Sequence, residues 1–587
     1  MGVDRKAMAV SFQDTLTPLG RYDRLSALPE LIIYRIFKFL EPNETARINL
    51  VSRRFRKLCF NSPFLYFYAN FDTKECGKKY AQFCTYVDKV MKLREQLNVG
   101  LERFLIHWSC QQPRFNVGGS VIDAWIRIAT NCNVQELDVL FDVDRWKCYT
   151  LPDCVYGCKS LKVLRLNLQR GNFYLIKRMM DSVEGLFLYS LTISDSDFGE
   201  KISGYWMSLK ILNLEGVHLV GNLNITCHSL EELKISNCKI ERVHVWNGEH
   251  VDRKFNIFCP SLKVLSMSRC HFEAPCLMII CCESLENFTI HGSHFDRHSN
   301  FKIASGSLQN IQVCRSKFYK PSCFCICCHS VKQIKISNCQ FEEFCNIEMN
   351  SSYLEDLSIL DSEVVRPQQI RLLAPRRRIN VEAEKLQKLT INSSDEYLYE
   401  FPLSFFTPDI HTLIWKGNPV DFSCMERFPS LDCALIDIKP SCRHNSKTFA
   451  CHCKLVKSSI YCVAMLLQSL QRAKFLNINI WPIQMFFMQN DEILYFDNLM
   501  CLTLMVGDSL VDQIPVIVSF LKGLPNLRRL VIKCEHKSPI LGDPNFINLL
   551  GLCPKSFNLS VTEDWRKVEI HKRKAQEVEE KESNRSE

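Results

Sequence analysis

The sequence predicts an α+β solenoid, with a small three-helix module at the amino end followed by a curved array whose inner face is a parallel β-sheet. Three observations predict it. An aliphatic pattern recurs from about residue 100 to 535, four of its successive spacings are each 23 residues, and a helix-period stripe over residues 24–60 precedes it.

Composition bounds the answer first. With 587 residues, 47% of them apolar and 11% aromatic, the chain has enough core-forming material to exclude disorder throughout. The 21 Gly and 22 Pro exclude collagen-like and linker-dominated chains and leave little glycine for phosphate-cradling loops. The formal charge of +9 is a mild excess for so large a surface and does not call for nucleic acid as a partner. No apolar run reaches the length of a membrane helix, and residues 1–40 lack a secretory apolar region, so an intracellular protein, cytoplasmic and/or nuclear, with no membrane partner is expected. The 31 cysteines, odd in number and in a long chain, are expected to be reduced thiols.

The amino-terminal module comes first in the chain. Leu28, Ile32, Ile36 and Leu40 recur at four-residue intervals, with Ile33 and Phe37 beside them and Pro29 at the predicted first helical position. After a break at Pro42-Asn43, the segments 44–51 and 52–60 carry Ile48, Leu50, Val51, Phe55 and Leu58 as an apolar face. Three short helices in about 40 residues cannot close a core of their own, so a partner surface is expected.

The repeat follows. The copies carry an aliphatic at position 1, another at 4 and another at 6, usually a Cys or Ser at 9 and often an aromatic or aliphatic at 11, which is the leucine-rich-repeat frame. The clearest copies start at Leu230, Leu262, Leu285, Leu308, Val331 and Leu354, and weaker ones at Leu101, Val134, Leu161, Leu188, Leu209, Leu386, Ile410, Leu431, Ala473, Leu499 and Leu527. Within a copy, positions 4 and 6 point to one side of a short strand and positions 3, 5 and 7 to the other, so neighbouring copies bury the first set and expose the second. The exposed set on the concave face comprises Glu232, Lys234, Asn287, His291, Asn310, Gln312, Gln333, Lys335, Asp356 and Lys388, and these are the candidate target contacts. Position 9 takes Cys238, Cys270 and Cys339 as small structural thiols. The second halves of the copies, such as 276–280 and 324–327, lack helical spacing and are expected to be short strands or irregular returns, while 461–470 and 511–521 read as helical.

The stretches Leu25-Ser26-Ala27-Leu28-Pro29-Glu30, Ile36-Phe37-Lys38-Phe39-Leu40 and Leu50-Val51-Ser52-Arg53-Arg54-Phe55-Arg56-Lys57-Leu58 resemble an F-box, with Phe55 where many F-boxes have Trp. With the repeats behind it, the chain from about residue 22 to 535 resembles the plant F-box/leucine-rich-repeat proteins. The resemblance implies a small three-helix F-box followed by a curved leucine-rich-repeat solenoid with a parallel concave β-sheet. It implies a non-catalytic substrate receptor of an SCF-type ubiquitin ligase, with a Skp adaptor, a cullin scaffold and an unknown protein substrate as partners and no cofactor. By the same resemblance Leu28, Pro29, Ile32, Ile36, Leu40, Val51, Phe55 and Leu58 would meet the adaptor. The alternative is a repeat scaffold or small-ligand sensor not coupled to ubiquitination. The expected organisation is a disordered tail over 1–21, the F-box over 22–66, a helical connector over 67–100, the solenoid over 101–540 and a cap with a charged tail over 541–587.

Other chemistry finds little support. Gly507-Asp508-Ser509-Leu510 spells a hydrolase signature, but it follows a strand frame and reads as a turn, so no catalytic residue is assigned. Cys442, His444, Cys451, His452, Cys453 and Cys462 lack the paired spacing of a zinc site, and Cys323, Cys325, Cys327 and Cys328 are read as packing, so no metal site is assigned. Arg366, Arg371, Arg376, Arg377 and Arg378 read as a solvated loop, and Glu563–Glu587 as frayed helix or disorder.

Overall fold

In the computed structural model the described residues run from 25 to 572, except 26, 41, 72–75, 111–118, 142–147, 242–252, 274–275, 297–299, 320–322, 343–345, 366–378, 393–402, 418–423, 426–427, 439–453, 489–492, 508–509, 535, 537, 544, 553–556 and 562–565. They divide into two compact units, Met1–Ser194 with Tyr205–Leu212, and Asp195–Gly204 with Asn213–Glu587.

In the first unit, α1 (Glu30–Phe37), α2 (Pro42–Val51) and α3 (Arg53–Asn61) follow in close succession. Pro29 caps α1 rather than occupying its first turn, and the Ser52 hydroxyl caps α3 by accepting from the Phe55 N–H at 3.1 Å. Ile33 and Phe37, one turn apart on α1, meet Phe55 and Leu58 of α3 and Phe64 of the first strand in one buried cluster. Each contributes on the order of 1.5–3 kcal/mol relative to exposure, and it is the strand residue that closes a core the helices cannot close alone. That strand, β1 (Phe64–Phe71), runs parallel to β2 (Arg103–Cys110), which is followed in the sheet by β3 (Glu136–Leu140), β4 (Val163–Asn167) and β5 (Gly185–Tyr189). Helices α4 (Cys76–Leu97) and α5 (Gly119–Asn131) connect the first strands. The sheet thus starts one strand before the expected boundary at residue 101.

The second unit is a β-solenoid built from three parallel sheets. The longest takes one strand per repeat, in the order Glu232–Ser236, Val264–Ser268, Asn287–His291, Asn310–Cys314, Gln333–Ser337, Asp356–Leu360 and Lys388–Asn392, and continues to Arg529–Cys534. In the copies from Leu230 to Val331 the apolar residues at positions 4 and 6 are buried, as at Phe288 and Ile290, whereas in the copy at Leu354 position 4 is buried and Ile359 at position 6 is half-buried. A second sheet of two- and three-residue strands stacks position 11. Phe272, Phe295, Phe318 and Phe341 lie face to face with ring centroids 4.6, 5.0 and 5.1 Å apart. The third sheet carries the return segments, among them Cys276–Cys281, Asn300–Ala304, Cys323–Cys327 and Asn346–Asn350, which are strands rather than helices.

The corner between the first two sheets explains position 9. Cys270 donates its thiol to the carbonyl of Ile235 at 3.3 Å, while its own N–H donates to the Ser293 hydroxyl at 3.1 Å. Ser293 N–H repeats the bond to Ser316 at 3.2 Å, and Cys339 N–H to Ser362 at 3.3 Å. A small side chain with one donor and one acceptor is what this turn requires. The residue before it adopts a left-handed backbone, with φ of 53° at Arg269, 60° at Gly292, 51° at Arg315 and 53° at Asn338.

Towards the carboxyl end the return segments become the helices Lys454–Ser469, Ile480–Phe487 and Leu510–Leu521. The expectation of a frayed tail is corrected for residues 567–572. Lys567–Lys572 is a strand that pairs antiparallel with both Arg529–Cys534 and Phe557–Val561, because Val568 and Ile570 alternate with charged residues and bury against the last repeat. An antiparallel hairpin on the final parallel strand covers an edge that would otherwise offer unpaired backbone groups. Among the described residues no helix is long and apolar enough to cross a membrane.

Candidate functional site: an amino-terminal helical face and a repeat face

The helical module has two apolar sides. One is consumed by its own chain, through Ile33, Phe37, Phe55 and Leu58. The other is open, with Phe39 85% exposed, Leu50 77%, Leu31 75% and Val51 68%. Side chains of this size left in water are the mark of a surface awaiting a partner. Pro29 and Ile32 are also exposed, and Leu28, Ile36 and Leu40 are half-buried. Two expected adaptor contacts are therefore corrected. Phe55 and Leu58 are 1% and 2% exposed because they fill the space between α1 and β1, so they support the open side from behind. Conversely, Leu31, Phe39 and Leu50 belong to the open side. Their exposure could not be read from an apolar pattern that runs nearly all round α1.

The module is tied to the repeats by one buried cation. Arg94 of α4 donates to the carbonyl oxygens of Phe60 at 2.5 Å, Ser62 at 2.7 Å and Gly100 at 3.4 Å. Burial pulls its guanidinium down to about 10, still charged at neutral pH. Burial likewise pushes the Cys59 thiol up to about 11, which keeps it protonated and donating to the Thr45 carbonyl.

On the long sheet of the second unit, all ten anticipated positions point away from the core. Lys234, His291, Asn310, Gln312, Gln333 and Lys388 are exposed, and Glu232, Asn287, Lys335 and Asp356 are half-buried. Register brings several into one row, in which Asn287, Asn310, Gln333, Asp356 and Lys388 stand opposite one another on successive strands. The Asn310 amide donates to Asn287 Oδ1 at 3.0 Å, Lys388 pairs with Asp356 at 3.5 Å, and Lys234 pairs with Glu232. The row offers alternating donors and acceptors rather than one sign of charge. It suits a polar partner surface.

The first unit carries a charged network on its sheet that was not anticipated. Arg103 lies 3.5 Å from Asp138 and 3.7 Å from Glu136, His107 lies 3.0 Å from Asp138, and Arg165 lies 3.0 Å from Glu136. The same offsets applied to the weak copies at Leu101, Val134 and Leu161 reach Arg103, His107, Glu136, Asp138 and Arg165.

The dense cysteine strand also needs a correction. Alternation on Cys323–Cys327 turns Phe324 and Ile326 inward, so only the neighbouring Cys328 is buried, and Cys325 and Cys327 meet outside the core at 3.2 Å. No disulfide is present among the described residues, nor any group of three His, Cys, Asp or Glu placed to hold a metal. Cys442, His444, Cys451, His452 and Cys453 lie outside the described residues, as do Asp508, Ser509 and the arginines between 366 and 378, while Cys462 is buried in the helix Lys454–Ser469.

Two family models match the two parts of this architecture. Residues 25–71 match the F-box-like family, and residues 122–258 match the repeats described for the FBD-associated F-box protein At5g56370. The chain carries an F-box-like domain and repeats similar to those of plant F-box/leucine-rich-repeat proteins. Similar proteins from Arabidopsis thaliana include one named as an F-box/LRR-repeat protein, At5g41840, 26% identical over 37% of this chain and 37% of its own length. The F-box/FBD/LRR-repeat protein At5g56420 is 25% identical over 38% of this chain and 46% of its own length. F-box/LRR-repeat protein 13 is 27% identical over 24% and 30%. The matched stretches span 37–48% of the first four relatives' lengths, so the likeness to any one relative covers less than half of it. The F-box match contains both the buried cluster and the open apolar side described above.

Proposed function

We propose that the protein is the non-catalytic substrate receptor of an SCF-type ubiquitin ligase. Its F-box docks on a Skp-type adaptor through Leu28, Pro29, Leu31, Ile32, Phe39, Leu50 and Val51, and the cullin scaffold joins through that adaptor. A target protein binds the polar rows of the repeat sheets, including Glu232, Lys234, Asn287, His291, Asn310, Gln312, Gln333, Lys335, Asp356 and Lys388. Holding a target by rigid repeats raises its effective concentration near a ubiquitin-charged enzyme, which is all the catalysis a receptor has to supply. Location in the cytoplasm and/or nucleus follows from this role.

The observation that supports the reading most is the division of the F-box into a closed side and an open apolar side with Phe39 85% exposed. The test is co-purification with a Skp-type adaptor. Wild type is expected to retain the adaptor and a Leu50→Asp/Val51→Asp variant to lose it, with unchanged circular dichroism because both side chains already sit in water. Equal retention by the two proteins sinks the docking model, and it returns the chain to the class of scaffolds that recruit no ligase.

A further inference from the structure

A cavity of about 370 Å³ opens in the first unit between α3 and α4. Its charged lining consists of Arg53, Arg56, Lys57 and Arg94, all cationic, with no carboxylate among them. Among the described residues none of the four forms an ion pair with an acidic side chain. Arg94 is 3% exposed, and its known partners are three backbone carbonyl oxygens. A guanidinium this deeply buried usually has an anion beside it, because carbonyl dipoles offset only part of the cost of removing a charge from water. Burial accordingly depresses its affinity for a proton.

Apart from Asn61, the remaining walls are apolar. Phe60, Val90, Leu93 and Leu97 line the space, and Leu93 and Leu97 are 44% and 57% exposed at positions the F-box core and the repeat core both leave unused. The space has the volume of roughly a dozen liquid water molecules. It falls within the size range of small-ligand sites, which combine apolar walls with a few convergent polar groups.

We propose that this cavity binds a small amphipathic anion, a compact apolar body carrying one carboxylate, sulfonate or phosphate. The anionic head lies among Arg53, Arg56 and Lys57 with the field of Arg94 behind it, and the apolar body covers Leu93 and Leu97. Because Arg94 holds the carbonyls that join the F-box to the first repeat, an occupant here stiffens that junction. The inference does not depend on adaptor docking.

The test uses the full chain and the fluorescent anion 8-anilinonaphthalene-1-sulfonate at low ionic strength. Saturable binding is expected, competed by benzoate far better than by inorganic phosphate. An Arg53→Gln/Arg56→Gln variant should bind at least tenfold more weakly, and Leu93→Asp should also weaken binding, with melting temperatures unchanged. Equal affinity in wild type and the double variant overturns the proposal. So does equal competition by benzoate and phosphate, which would mark a plain basic patch, and so does equal binding of an uncharged naphthalene analogue, which would mark a plain apolar one.

Discussion

Arg94 Nη2 donates to the Ser62 carbonyl oxygen at 2.7 Å across a separation of 32 residues, fastening the end of the F-box to the helix between the first two strands of the sheet. The Phe60 carbonyl lies in the last turn of α3 and the Ser62 carbonyl between α3 and β1. Replacing Arg94 by Ala strands them in a dry site, at a cost of about 2–4 kcal/mol by the usual penalty for unsatisfied buried acceptors. Urea unfolding of the first unit should show that loss, and Arg94→Lys should recover only part of it, since one ammonium cannot reproduce the fork in which Nη2 reaches the Phe60 and Ser62 carbonyls while Nη1 reaches that of Gly100.

The phenylalanine stack predicts a graded series. Phe295 has neighbours on both sides at 4.6 and 5.0 Å and a third, Phe301, edge-on at 4.8 Å. Phe295→Ala should cost about 3–5 kcal/mol, and Phe295→Leu about 1.5 or less because it retains most of the volume. The terminal Phe341 has a recorded ring partner on one side only, Phe318 at 5.1 Å, so its truncation should cost less than that of Phe295. Equal losses at the two positions, measured by denaturant midpoint, would mean that stacking between repeats contributes little.

Much of this architecture is legible in the residues, and the limits have physical causes. Alternation in Leu285-Phe288-Ile290 identifies strand, face and repeat together, because buried and exposed sets separate cleanly at period two. The helices of the F-box do not separate this way. Ile32 and Ile33 are equally apolar, yet one is open and the other buried, and the arrival of Phe64 from the strand after the three helices decides between them. The charged network around Asp138 lay hidden in repeat copies too irregular to stand out. Position 8 was silent as well, since its left-handed backbone is filled by Arg269 and Arg315 as readily as by Gly292 or Asn338.

That silence yields a third prediction. Arg315 holds φ at 51° while its N–H donates to the Ser337 carbonyl at 2.8 Å, and the neighbouring copy meets the same demand with Gly292. For a residue with a Cβ this conformation costs roughly 1–2 kcal/mol relative to the right-handed helix region, and glycine avoids it. Arg315→Gly should therefore stabilise the second unit by up to about 1 kcal/mol, the gain being reduced by the freedom glycine adds to the unfolded chain. Arg315→Val should destabilise it. A Gly variant with a lower denaturant midpoint than wild type would show that the arginine side chain contributes more than the strain it brings.

The short second sheet should make stability depend on pH near neutrality. His294 stands between His271 and Lys317 in register, with Asp296 on its own segment. Burial lowers its proton affinity first, Lys317 and His271 lower it further, and Asp296 opposes them. A histidine whose folded value lies below the unfolded one, near 6.5, is protonated more readily when the chain unfolds, so acid favours unfolding. Its contribution is fully present above about pH 7 and is lost as pH falls through the unfolded value towards the folded one. The carboxylates held low by cations, Glu241 by Lys239 and His218 and Glu569 by Lys567, Arg529 and His571, lose their contributions in a separate window below about pH 4.5. Urea midpoints should therefore drop between pH 7.5 and pH 5.5, where carboxylates are still ionised, and His294→Gln should flatten that drop while leaving the loss below pH 4.5 in place. A variant whose midpoint falls as steeply as wild type over the upper interval would remove His294 as its source.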